Sequence, residues 1–308
     1  MSSLKNYLSL VKFSHTIFAM PFALIGFFLA LSKPRYRQWN LNMTVGWGGP
    51  YPDSPYSWEE ILIKFTLVIL CMVFARSAAM AFNRWLDKNY DAKNSRTALR
   101  EIPSGIISEK NALIFVVINC LAFSISTYFI NTICFALSPV ALFVILFYSY
   151  TKRFTSLSHL VLGLGLSLAP IGAYLAVTGK FNLLPILFSF SVLFWVSGFD
   201  IIYALQDEEF DKENKLYSIP SVLGKVNALR ISEALHVISA ICVFASGFSG
   251  HFGWIYWVGV CFFISLLIYQ HTLVKPNNLT KVNLAFFITN GIASVIFCIF
   301  VLIDLFIN

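Results

Sequence analysis

Two short stretches place carboxylates where they could act together: "NRWLDKNYD", residues 83–91, and "DIIYALQDEEFD", residues 200–211. At helical spacing, Asn83, Asp87 and Asp91 stack on one face, as do Asp200, Asp207 and Asp211, with Tyr203 near the same stripe. Several carboxylates at one surface repel unless a cation joins them. Hard oxygen donors suit Mg2+, which keeps waters and takes one or two carboxylates together with a substrate phosphate. Basic residues stand beside both stretches: Arg96 and Arg100 after the first, Lys152 and Arg153 in "YTKRFT", and Lys212 and Lys215 after the second. Carboxylates, metal and Arg/Lys together can hold a diphosphate and stabilise its departure. A solvated helix end accounts for most isolated spacings of this kind. Two of them, each next to basic residues, favour a joint site.

The elements that must position these residues are apolar. Hydrophobic residues make up 58% of the 308 and charged residues only 12%, where soluble domains carry about twice that charge fraction. Spanning a bilayer takes roughly 20 mostly apolar residues per helix. Nine such spans are expected, at 13–31, 61–82, 112–130, 132–150, 157–178, 183–204, 229–247, 254–274 and 282–306. The expected fold is therefore all-α, a polytopic helical bundle forming one domain over residues 1–308. Lys5, Lys12 and the following apolar run loosely mimic a secretory signal, but the run is long and eight more spans follow, so a retained first helix is expected. The six cysteines all fall within spans and none forms a CxxC or Cys/His pattern, which argues against zinc or a disulfide framework.

With nine spans, the N-terminus and the even-numbered connections share a side, and that side holds most of the 22 basic residues. The positive-inside bias makes it cytoplasmic. The net charge of +7 then reads as topology and contact with anionic lipid, not as nucleic-acid binding. The long second and sixth connections carry or adjoin most of the 15 acidic residues. A diphosphate at a membrane surface whose remainder is lipid suggests a polyprenyl diphosphate, its tail lying among apolar helices. Arg76 lies inside the second span, seven residues before Asn83 and on nearly the same face. An ionised group at that depth costs a few kcal/mol and faces a cavity or a partner. It is either a structural partner of Asp200 or a backbone carbonyl, or a fork for a substrate carboxylate. Tyr148, Tyr150, Trp195, Phe199 and Tyr203 fall near the expected site, where ring faces could shield an allylic cation. His15, at the start of the first span, reads as a surface residue. The loop around Trp47–Tyr56, rich in Gly and Pro, reads as irregular and external.

At these residues the chain resembles the UbiA superfamily of intramembrane prenyltransferases. That family shows an NDxxDxxxD and a DxxYAxxDxxxD motif on helix ends within nine transmembrane helices. Here "NRWLDKNYD" is followed by "NSRTALREIPSG", and "DIIYALQDEEFD" by "LYSIP"; "YSYTKRFT" resembles the basic segment between them. "KFSHTIFAMPFAL" is similar to an N-terminal pattern of quinone-pathway members. The resemblance implies that Asp87, Asp91, Asp207 and Asp211 bind Mg2+ and diphosphate, supported by Asn83. It implies that Arg96, Arg100, Lys152 and Arg153 clamp the phosphates. Arg76 would hold the carboxylate of an aromatic acid, and Asp200, with Tyr203, would orient or deprotonate that acceptor.

There are two departures. Arg84 replaces an acid of the first motif, as in a subset of relatives linked to menaquinone routes. Lys215 stands where relatives often have Gly. The implied activity is Mg2+-dependent prenylation of 4-hydroxybenzoate in quinone biosynthesis, with a dihydroxynaphthoate-type menaquinone precursor as the alternative acceptor. The expected location is a bacterial inner membrane, with the active site cytoplasmic. A cation-coupled transporter is the competing class, although transporter sites usually lie near the midplane beside broken helices.

Overall fold

The computed structural model describes residues 4–11, 18–32 and 56–307. His15, and most of the expected external loop, lie outside them. In chain order the helices are α1 (Leu4–Val11), α2 (Met20–Leu31), α3 (Trp58–Leu86), α4 (Lys88–Lys93), α5 (Glu109–Ile130), α6 (Thr132–Thr151), α7 (Ser158–Thr178), α8 (Leu183–Ala204), α9 (Glu208–Glu213), α10 (Ile219–Ser249), α11 (Trp254–Leu273) and α12 (Asn290–Ile307). Among the described residues, eight helices are long and apolar enough to cross a membrane, and α2 is a shorter apolar helix of 12 residues. The first expected span is thus represented by α2, with residues 12–17 outside the described set. The other eight spans are all present as helices.

The helix starts follow from local chemistry. Ser57 and Glu60 form a reciprocal capping box that opens α3, and Ser218 with Ser221 does the same for α10. That second cap starts α10 at Ile219, ahead of the apolar run expected from residue 229. A kink at Gly224 (φ 76°, ψ 164°) then sets the first turns at an angle to the rest. α8 is the central helix, packing most extensively on α7 and α10, while α2 crosses α7 and α3 packs on α5. Close approach needs small residues. A Cβ on Gly163 would stand 2.3 Å from the Leu193 carbonyl oxygen, and one on Gly26 would stand 2.0 Å from that of Pro170. Aromatic rings fill the core between α2, α8, α11 and α12, with Phe22, Trp195, Tyr256, Phe263 and Phe297 all buried. Asp304 on α12, fully buried, accepts the backbone N–H groups of Gly253 (2.9 Å) and Tyr256 (3.2 Å), so it caps the otherwise uncapped start of α11.

Two interruptions matter for the site. α3 stops at Asp87 (φ −92°, ψ 3°) and α4 begins at the next residue. A short 3-10 turn, Leu205–Asp207, ends α8 at Asp207 (φ −105°, ψ 5°), where α9 begins. Both breaks fall on the middle member of a motif's polar triplet and share one backbone conformation, the sparsely populated bridge region in which many active-site residues sit. The motifs are therefore bent helix ends rather than straight stripes.

Candidate active site

The residues of both motifs line one polar cavity of about 290 Å³. Asn83, Asp87 and Asp91 enter it from the α3–α4 break, and Asp200, Tyr203, Asp207 and Asp211 from α8 and α9. Arg76, Arg96, Arg100 and Lys152 line it as well. The two remote segments thus meet in space, 113 residues apart at the contact of the Asn94 amide with Asp207 Oδ1, 3.3 Å.

Each of three aspartates is held by a cation. Asp87 is 2% exposed and accepts from Lys152, from Arg153 Nη2 (3.0 Å) and from Asn83 Nδ2 (3.2 Å). Asp91 is gripped through both oxygens by Arg100 Nη1, at 2.8 and 2.9 Å. Asp207 pairs with Arg96, whose other Nη donates to the Tyr203 hydroxyl at 2.9 Å. Asp211 accepts instead from the Ser218 hydroxyl at 2.7 Å. The basic turn after α6 is tied to the loop after α9, because the Tyr217 N–H donates to the Lys152 carbonyl at 2.7 Å.

Most of the sequence-predicted residues therefore sit together, with a few exceptions. Arg153 does not line the cavity. It buttresses Asp87 from outside, also donating to the Ser149 and Leu86 carbonyls (2.9 and 3.1 Å), with its guanidinium against the rings of Tyr90 and Tyr150. Tyr150 is half exposed and Trp195 is core, its indole N–H donating to Asn290 Oδ1 at 3.0 Å. Tyr148, Phe199 and Tyr203 do line the cavity, joined by Phe286. A π-helical stretch, Leu284–Thr289, brings Phe286 there, its ring centroid 4.3 Å from that of Tyr203.

Arg84 is 3% exposed and pairs with Glu101 at 3.1 Å. It braces the segment that bears Arg96 and Arg100, where the family pattern has an acid. Lys215 has φ 55°, so the loop keeps the left-handed turn that favours Gly, but builds it with a side chain.

Arg76 pairs with neither Asp200 nor a carbonyl: among the described residues it makes no hydrogen bond, and its Nε is buried without a partner. It lies, with Met80, Tyr148, Leu162 and Leu166, on the boundary between the polar cavity and an apolar crevice of about 390 Å³. The crevice runs between α3, α6 and α7 and is walled by small and apolar side chains, among them Ala75, Ala79, Ala141, Gly165, Ala169 and Gly172.

Sequence reasoning missed two partners. Asp200 is held by His159, Nδ1 to Oδ2 2.7 Å, and Asn94 touches Asp207. His159 was signalled as an ionisable residue inside an apolar span, the same signal that singled out Arg76.

The donor set fits a hard cation. Asp87, Asp91, Asp207 and Asp211, with the amides of Asn83 and Asn94, surround one cavity and offer oxygen donors of the kind that suits Mg2+. Among the described residues no three of His, Cys, Asp or Glu form a ready-made ligand cluster. An ion that takes one or two carboxylates plus substrate phosphate needs only such a divided set.

Fold and site define an integral membrane helical bundle with a paired-aspartate cavity opening into an apolar crevice. The chain belongs to the UbiA prenyltransferase family, whose profile matches residues 53–291, and is thus an enzyme that transfers prenyl groups. It is 30% identical to a 4-hydroxybenzoate octaprenyltransferase of Shewanella sp. (strain W3-18-1) over 70% of this chain and 74% of that protein. It is 28% identical to one of Francisella tularensis subsp. mediasiatica over 82% and 85%. The apo structure of a UbiA homolog from Aeropyrum pernix K1 superposes with a TM-score of 0.77 at 27% identity, covering 94% of this chain and 98% of that one. A UbiA homolog from Archaeoglobus fulgidus, bound to DMAPP and Mg2+, shares the fold with a TM-score of 0.72 at 18% identity, covering 98% and 100%.

Proposed function

We propose that the chain transfers a polyprenyl group from a polyprenyl diphosphate to the ring of an aromatic acid, 4-hydroxybenzoate, in quinone biosynthesis. One observation carries this reading: a polar cavity rich in Asp, Arg and Lys opens, past Arg76, which has no hydrogen-bond partner among the described residues, into an apolar crevice. A molecule with a diphosphate head and a hydrocarbon tail matches that division. The names of the relatives support the acceptor.

Asp87, Asp91, Asp207 and Asp211, with Asn83, would hold Mg2+, which when bound neutralises diphosphate charge and eases its departure. Arg96, Arg100 and Lys152 supply the remaining positive charge at the same oxygens, while Arg153 keeps Asp87 in place. The tail lies in the crevice. As the allylic C–O bond breaks, the electron pair leaves with the diphosphate. The faces of Tyr148, Phe199, Tyr203 and Phe286 shield the allylic cation. Arg76 forks the acceptor's carboxylate. Asp200, beside Tyr203, orients the acceptor and takes the ring proton once the new C–C bond has formed. The apolar walls of the crevice keep out water, which would otherwise capture the cation. The motif end of the bundle faces the cytoplasm of a bacterial inner membrane, in line with the distribution of Lys and Arg.

The test is mass spectrometry of products from purified protein, Mg2+, one polyprenyl diphosphate and a panel of aromatic acids. Prenylated 4-hydroxybenzoate is expected. A product with dihydroxynaphthoate alone would move the acceptor to the menaquinone branch, and no prenylated acid of any kind would refute the reading.

A further inference from the structure

His159 stands in the first turn of α7 and is 3% exposed. Its Nε2 accepts the backbone N–H of Ile219 at 3.3 Å, so that nitrogen carries no proton. The ring proton is therefore on Nδ1, which donates to Asp200 Oδ2 at 2.7 Å. Its carbonyl also accepts the Ser197 hydroxyl at 3.1 Å, fixing α7 against α8. Asp200 lines the cavity, and no other hydrogen bond engages its carboxylate among the described residues. Ile219 opens α10 directly after Ser218, whose hydroxyl holds Asp211. One line of contacts thus runs from Asp211 through Ser218 and the Ile219 amide to His159 and Asp200.

We infer that His159 is a positioning residue that aims the Asp200 carboxylate at the acceptor and couples that aim to the Asp211 end of the cavity. This rests on the proposed function, in which Asp200 faces the aromatic acid and Asp211 the diphosphate. A histidine donating through Nδ1 holds one carboxylate oxygen and leaves the other for substrate. Because its second nitrogen is held by the loop that carries Ser218, the ring follows that loop. Occupation of the diphosphate subsite then strengthens acceptor binding through His159, and by linkage the effect is reciprocal.

The experiment compares wild type, His159→Ala, His159→Asn, Asp200→Ala and the double variant His159→Ala/Asp200→Ala in purified form. KM and kcat are measured for the aromatic acid at low and at saturating polyprenyl diphosphate. His159→Ala is expected to lower kcat/KM for the acid about tenfold or more, the worth of a hydrogen bond to a charged group, with little change in KM for the diphosphate when the acid is far below saturation. The double variant is expected to be no worse than Asp200→Ala alone, because His159 acts through Asp200. His159→Asn keeps a donor near the Nδ1 position and is expected to restore the acid KM while losing its dependence on diphosphate concentration. Additive losses, an equal rise in both KM values with the other substrate kept low, or an unchanged dependence in His159→Asn would overturn the inference. If His159→Ala does not fold, the dependence measured in His159→Asn decides. A wild-type protein that prenylates no aromatic acid counts against the proposed function, whereas these outcomes in an active enzyme count against His159 alone.

Discussion

Replacing Arg76 by Met should make the protein more stable and less active at once. The guanidinium lies within the α3 span, about ten residues or roughly 15 Å along the helix from its Leu86 end. It is partly buried, and its Nε, fully enclosed, has no partner among the described residues. An Arg at the centre of a membrane helix costs about 2.5–3.5 kcal/mol on insertion scales. Met72 and Met80 already line the same walls, so an unbranched thioether fits the space. Relieving the unpaired charge should raise stability by about 1–3 kcal/mol. On the proposed function, the same change removes the fork for the acceptor's carboxylate. Two charge-assisted hydrogen bonds at about 1.5–3 kcal/mol each imply a fall in kcat/KM for the acid of about a hundredfold or more. KM for the polyprenyl diphosphate should hardly move. Thermal unfolding in detergent and steady-state kinetics with each substrate varied are the assays. A variant that melts lower and keeps its acid KM would show that Arg76 is structural. A rise confined to the diphosphate KM would place it on the wrong substrate.

Three further outcomes are expected. Asp87→Asn and Asp207→Asn should each cut turnover about a hundredfold or more while leaving the elution profile intact, and chelation of Mg2+ should abolish wild-type turnover until the ion is restored; turnover that survives chelation would refute the divided metal site. Gly172→Leu should spare short prenyl donors and penalise long ones, because a Cβ there meets nothing within 4 Å and the new side chain enters the crevice rather than a neighbouring helix; equal activity across tail lengths would remove the tail from this crevice. Lys215→Gly should raise stability by about 0.5–1 kcal/mol in thermal unfolding, since a side chain is disfavoured at φ 55°; a lower melting temperature would show that the lysine side chain contributes more than the turn costs.

The bundle was legible because length and apolarity alone specify a membrane span. The expected span 183–204 is α8 residue for residue, and those at 132–150 and 157–178 differ from α6 and α7 by one residue at one end. The start of α10 escaped because its first turns are set by the Ser218 cap and the Gly224 kink, outside the apolar run expected at 229–247. The site was legible in its residue types but less so in its roles. Arg153 reads as a phosphate ligand until its hydrogen bonds are seen to end on Asp87 and two carbonyls. His159 reads as one polar residue in an apolar run until Asp200, 41 residues away, is found beside it.

By itself the sequence determined the class of the molecule, its membrane helices, and the two carboxylate clusters with their attendant bases. These are local properties: spacing along one helix, hydrophobicity within one window, charge beside an apolar end. Only the tertiary structure decided that Asp87 shares a cavity with Asp207, that Arg76 is left without a partner among the described residues, and that His159 ties Asp200 to the start of α10. Such pairings join segments far apart in the chain. They depend on how α3, α7 and α8 cross, and the close approach of α7 to α8 at Gly163 appears only when the helices are packed.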